Sequence, residues 1–151
     1  MPANRNPRRW EVRRDGSCWR DSASRQCQDD LDGLLDLALS FARQSLQERA
    51  GLYPFGAAMS TDGETRLLGG GLGGDASSER LPVLLAGLRR DRADFRAVAI
   101  CSHVRLPDSD AVRVQLEHQE GQTVHFVVPY SNKRLEYGEP RRGTPFRQVW
   151  T

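Results

Sequence analysis

The chain has 151 residues with 22 basic and 20 acidic side chains, a length that suits one domain of roughly 100–200 residues. Leu, Ile, Val and Phe account for 33 residues, just above the roughly 20% level below which chains tend to stay disordered. No apolar run approaches the ~18 residues a membrane helix needs and MPANRNPRRWEVRRDG lacks the apolar middle of a secretion signal, which with the length argues against a membrane-spanning protein, a secreted protein and a multidomain enzyme.

Residues 1–28 read as a basic, mobile arm. They carry seven Arg against Glu11, Asp15 and Asp21, a net charge of +4, whereas residues 29–151 net −2. Val12 is their only Leu, Ile, Val or Phe residue, so little core can come from them. Within the arm, RNPRRWEVRR resembles a nucleic-acid tail: Arg8, Arg9, Arg13 and Arg14 suit phosphates and Trp10 suits base stacking. Glu11 and Asp15 interrupt that run, and a solubilising extension or a misplaced start is the blander alternative. Three cysteines, Cys18, Cys27 and Cys101, without an apolar secretion signal, predict reduced thiols and a cytoplasmic protein.

Residues 29–137 read as one domain. Leu31, Leu34, Leu35, Ala38, Ala42 and Leu46 recur at three- and four-residue steps and predict a helix from about Asp30 to Ala50. Asp29, Asp30 and Asp32 suit its positive start, and Gly51 suits its stop. PFGAAMS (Pro54–Ser60) and TRLLGG (Thr65–Gly70) follow as strands around Asp62-Gly63, a hairpin signal. The glycine run Gly69–Gly74 leads into a second helix, roughly Ser78 to Arg92, with Leu81, Leu84, Leu85 and Leu88 as its core face.

Three further strands are predicted: Phe95–Leu106, Asp110–His118 and Gln122–Tyr130. A three-residue turn, Gln119-Glu120-Gly121, sets Leu116 opposite Val124, Val114 opposite Phe126 and Val112 opposite Val128; a one-residue slip would destroy that apolar face. Residues 138–151 read as a polar tail whose FRQVW suits one more edge strand. The fold class is α+β, with about five antiparallel strands and two helices in the order α-β-β-α-β-β-β. Profilin-like and roadblock-like domains share this order, and such folds host unrelated functions.

The segments PFGAAMSTDGE, RAVAICSHVRLPDSDAVRVQLEH and VHFVVPY resemble those of a group of small, uncharacterised bacterial single-domain proteins. The resemblance covers roughly residues 29–137. Its matching segments are core strands, so it implies a fold and carries no activity.

Several residue groups suggest chemistry, and each has a blander reading. Gly69, Gly71 and Gly74 spell G-x-G-x-x-G, but the next helix begins too late and no acid ends the following strand, so a flexible connection is preferred. Cys101 and His103 share a strand face, yet no third group orients them, and Cys101 follows a buried-looking run. Eight residues separate Cys18 from Cys27, and neither CxxC nor HxxxH occurs, which gives no zinc spacing. No cofactor is predicted.

With Pro107-Asp108-Ser109 as a loop, His103 should oppose Arg113 and Cys101 should oppose Gln115. His103, Arg113, Gln115, Glu117 and His125 then share one half-solvated polar sheet face. The preferred reading is a non-catalytic protein-interaction or inhibitor-like module of immunity or antitoxin type, acting on a protein partner or on itself. The alternatives are a small hydrolase or transferase using His103, Glu117 and His125, and nucleic-acid binding through the arm.

Overall fold

In the computed structural model, which describes residues 18–48, 54–68, 80–131, 134–135, 141–142 and 147–150, helix α1 spans Arg25–Glu48. It starts more than a turn before the expected Asp30. Ser24 caps it, its Oγ accepting the Cys27 amide at 3.0 Å. The predicted stripe from Leu31 to Leu46 is buried throughout, and Cys27 extends it by one more turn. Ahead of the helix, a tight turn over Trp19–Ser22 presses Cys18 and Trp19 into the same core. Residues 18–28 therefore belong to the folded domain, which corrects their assignment to an arm. Arg20 is engaged as well, pairing with Asp32 at 2.7 Å while its guanidinium lies 4.6 Å from the Trp19 ring centre.

Strands β1 (Phe55–Ser60), β2 (Thr65–Leu68), β3 (Phe95–Arg105), β4 (Asp110–His118) and β5 (Thr123–Ser131) form the sheet, with α2 (Arg80–Arg90) between β2 and β3. Two short strands, β6 (Arg134–Leu135) and β7 (Arg141–Arg142), both pair with β5. The strand order is β2-β1-β3-β4-β5-β6 and every pairing is antiparallel. The domain is thus α+β with the expected element order and additional short strands. Gly63 and Gly121 occupy the two hairpin turns at φ +96° and +108°, conformations that side chains with a Cβ resist.

The β4–β5 register is the predicted one, pairing Leu116 with Val124, Val114 with Phe126 and Val112 with Val128. Register between β3 and β4 differs by one residue: His103 pairs with Val112 and Cys101 with Val114. The connection closes between Leu106 and Ser109, the Leu106 amide donating to the Ser109 carbonyl at 2.7 Å. That loop is one residue longer than expected. Because side chains alternate along a strand, the difference moves His103 to the opposite face.

Both sheet faces are covered. On one, α1 packs on Phe55, Ala57, Ala97, Ala99, Cys101 and the apolar residues of β4 and β5. On the other, Leu88 of α2 and Val149 pack on Ala58, Val98 and Ile100, flanked by Leu81, Leu84 and Leu85. Residues 147–150 form no strand; where an edge strand was expected, Val149 plugs this second core.

Strand β3 carries one irregularity. Between Met59–Ala97 and Ser60–Phe95 the β1–β3 register shifts, leaving Arg96 as an extra residue. A bulge of this kind re-aims a side chain: Arg96 turns toward α1, while Phe95 joins the second core. Among the described residues no helix is long and apolar enough to cross a membrane. The glycine run Gly69–Gly74 and the arm residues Arg8, Arg9, Trp10, Arg13 and Arg14 lie outside the described residues.

Candidate functional site

The predicted polar face is only partly assembled. Arg113, Gln115, Glu117 and His125 do share the face away from α1, with Gln115 opposite His125. The half-solvated character expected of it is corrected at Gln115 and Glu117, which are 7% and 4% exposed because α2 and residues 147–150 pack on that side of the sheet, whereas Arg113 and His125 are half-buried. Arg113 Nε lies 3.3 Å from His125 Nε2. The Gln115 Nε2 amide is buried with no hydrogen-bond partner among the described residues.

Glu117 holds the end of the chain in place. Its carboxylate accepts the backbone amide of Val149 at 2.8 Å, of Trp150 at 3.1 Å and of Gln148 at 3.2 Å to each oxygen. Three consecutive amides converging on one carboxylate resemble the way peptide N–H groups cradle an anion, here with the anion supplied by the sheet. A carboxylate so occupied is not poised to accept a substrate proton. The His103–Glu117–His125 constellation is therefore not formed.

His103 instead sits on the α1 face, at the far end of β3. Its Nε2 lies 2.9 Å from Asp110 Oδ1, which Arg105 Nη1 also approaches at 3.2 Å. Hydrogen bonding from His103, and then from Arg105, holds the Asp110 carboxyl below the usual carboxylate range. Tyr130 stacks edge-on at 6.3 Å, and burial, followed by the Asp110 charge, pushes its phenol upward. This is a solvated ion-pair corner.

A denser polar cluster lies where α1 meets the other end of the sheet, and no sequence signal had singled it out. Asp30 is 4% exposed and His118 2%. Asp30 Oδ2 lies 2.9 Å from His118 Nε2, and its Oδ1 accepts Arg96 Nη2 at 2.9 Å. The Glu120 amide donates to His118 Nδ1 at 3.2 Å, so Nδ1 carries the lone pair and the neutral ring's proton sits on Nε2. Cys27 Sγ, a His118 ring nitrogen and a Glu120 carboxylate oxygen all lie within 4.8 Å of one another. Ser24 Oγ donates to Glu120 Oε2 at 2.6 Å.

Cysteine, histidine and aspartate thus meet here, but not as a nucleophile. Cys27 is fully buried, and burial, with the Glu120 and Asp30 charges, pushes its thiol up to about 12. Cys101 is buried too, and burial alone raises it to about 12. Nucleophilic cysteines need the opposite environment, exposed and electropositive.

Two sequence signals bear on this cluster in hindsight. His118 continues the alternation of Val112, Val114 and Leu116, a polar ring on an apolar face. Asp30 lies three residues after Cys27 and one before Leu31, on the buried stripe of the helix.

Compared with protein-family models, with curated proteins and with solved structures, the chain matches none of them. The fold and these sites define an α+β sheet domain covered on both faces, whose buried polar groups tie helix, sheet and C-terminal segment together.

Proposed function

We propose that this domain works by non-covalent contact with another protein, and that the outer edge of β2 receives an extended segment of that partner. The carrying observation is the asymmetry between the two sheet edges. The outer side of β5 is occupied by β6 and β7, whereas β2 ends the sheet and pairs only with β1 among the described residues. Thr65, Arg66 and Leu67 are exposed, and Leu67 is one of two large apolar side chains exposed among the described residues.

An open edge offers unpaired backbone donors and acceptors, which favours strand addition. Leu67 faces the α1 side with Ala57, and Arg66 the other side with Ala58. The matching partner strand therefore alternates an apolar residue toward Leu67 with an acidic one toward Arg66. An inhibitor of immunity or antitoxin type is a narrower form of this reading.

The test is a photo-crosslinker placed at the exposed Thr65 of the full chain, used in host extract alone and combined with Leu67→Lys or with Arg66→Pro. One protein crosslinked by the parent and lost in both variants, at low and moderate salt, supports the reading. Nucleic acid captured and released by salt would replace it with binding through the arginines of residues 1–28. A partner still bound by both variants would move the contact away from β2.

A further inference from the structure

We propose that Cys27, His118 and Glu120 form a site for a divalent transition metal of zinc type, independent of the β2 edge. The donor set is the first argument. A thiolate, an imidazole and a carboxylate suit zinc, or cobalt in its place, whereas calcium and magnesium prefer oxygen donors alone. Three protein ligands with a fourth position left to water is the arrangement of open zinc sites.

Geometry is the second. The three donor atoms already lie within 4.8 Å of one another, and around zinc, with bonds of about 2.0–2.3 Å, they would stand roughly 3.5 Å apart. His118 Nδ1 and Glu120 Oε2 stand 3.8 Å apart, and Glu120, on the β4–β5 turn with its side chain 41% exposed, has room to move closer.

The third argument is orientation. Metal-binding histidines commonly donate their second ring N–H to a carboxylate, which fixes the tautomer and ring plane. Asp30 already holds His118 in this way at Nε2, itself steadied by Arg96, and Nδ1 is the ring nitrogen that stands 3.8 Å from Glu120 Oε2. The local charge also suits a cation: Arg96 balances Asp30, and the Glu120 carboxylate remains.

Binding involves no change of oxidation state. The hydrated ion sheds three waters as the ligands bind: the metal–sulfur bond forms as the Cys27 thiol proton leaves to solvent, and a Glu120 carboxylate oxygen binds without losing a proton. The metal–nitrogen bond uses the Nδ1 lone pair, and the Glu120 amide exchanges its bond to Nδ1 for water.

The experiment takes full-length protein stripped with chelator and titrates it with cobalt(II) alone, then with zinc(II). One equivalent of cobalt should bind with a thiolate-to-cobalt charge-transfer band in the near ultraviolet, and zinc should displace it. Cys27→Ser should abolish the band, while Cys18→Ser and Cys101→Ser keep it. Glu120→Gln, at an exposed side chain that leaves the fold intact, should weaken binding at least tenfold. Asp30→Asn should weaken it about 10–100-fold with the band preserved, as positioning carboxylates do. No band in the parent, a band surviving Cys27→Ser, or parental affinity in Glu120→Gln would each overturn the proposal.

Discussion

Asp30 Oδ2 and His118 Nε2 stand 2.9 Å apart although they lie 88 positions apart in the chain. The same carboxylate takes Arg96 on its other oxygen at 2.9 Å. One buried acid thereby joins helix α1 to the β3 bulge and to the end of β4. Removing it should cost far more than a surface ion pair, because two polar partners would be left in a dry interface. Asp30→Ala is expected to destabilise by about 3–5 kcal/mol in urea unfolding. Arg25→Ala, which removes an exposed pair with Asp29, should stay within about 0.5 kcal/mol. Comparable costs for the two would show that the cluster does not bear on stability.

The Glu117 carboxylate should act as a latch for the C-terminal segment. Glu117→Ala would leave the amides of residues 148–150 without their acceptor, at about 1–3 kcal/mol. Hydrogen exchange is the direct reading, with faster exchange expected at Val149 and Trp150. Removing residues 147–151 in the Glu117→Ala background should add much less than removing them from the parent, because both changes release the same contact. Full additivity would sever the link.

Core register can be tested on β5. Phe126 is 1% exposed and faces α1, so Phe126→Ala should cost about 3–5 kcal/mol. His125, partly exposed on the other face, should cost about 1 kcal/mol or less when truncated to Ala. Equal losses would contradict the pairing that the Gly121 turn sets.

Alkaline pH should expose the buried thiol of Cys101. Its pKa is raised from 9.0 to about 12, so between those values the folded state holds a proton that the unfolded state releases. The stability due to the neutral thiol is complete below pH ~9 and is lost as pH rises toward ~12. Melting temperatures from pH 7 to 11 for the parent and Cys101→Ala should therefore converge above pH ~9. A constant gap would show that Cys101 titrates normally.

A chain beginning at Gln28 should melt more than about 5 °C below the full chain, since it lacks the buried Cys18, Trp19 and Cys27. Calorimetry of the two decides it. An unchanged midpoint would return those residues to the status of an arm.

What the sequence by itself determined was local. Helical spacing located the buried stripe of α1, and an Asp-Gly turn and a Gly121 turn set two hairpins, because positive-φ glycines and period-two alternation act over a few residues. The apolar pairs across β4 and β5 followed from the same rule, and with them the shared face of Arg113, Gln115, Glu117 and His125. The β3–β4 connection has no such glycine to fix its length. It is one residue longer than the spacing suggests, and alternation turns that single residue into the opposite face for His103.

Only the tertiary structure decided what those polar residues do. That face lies under α2 and the chain's end, and Glu117 binds three amides from a segment 31 residues away. Cys27, Asp30, Arg96 and His118 meet through an N-terminal extension of α1, a strand bulge and a turn lying far apart in the chain. A polar side chain on an apolar stripe carries no local mark of its partner. Burial makes the pairing obligatory, and burial is a property of the packed whole.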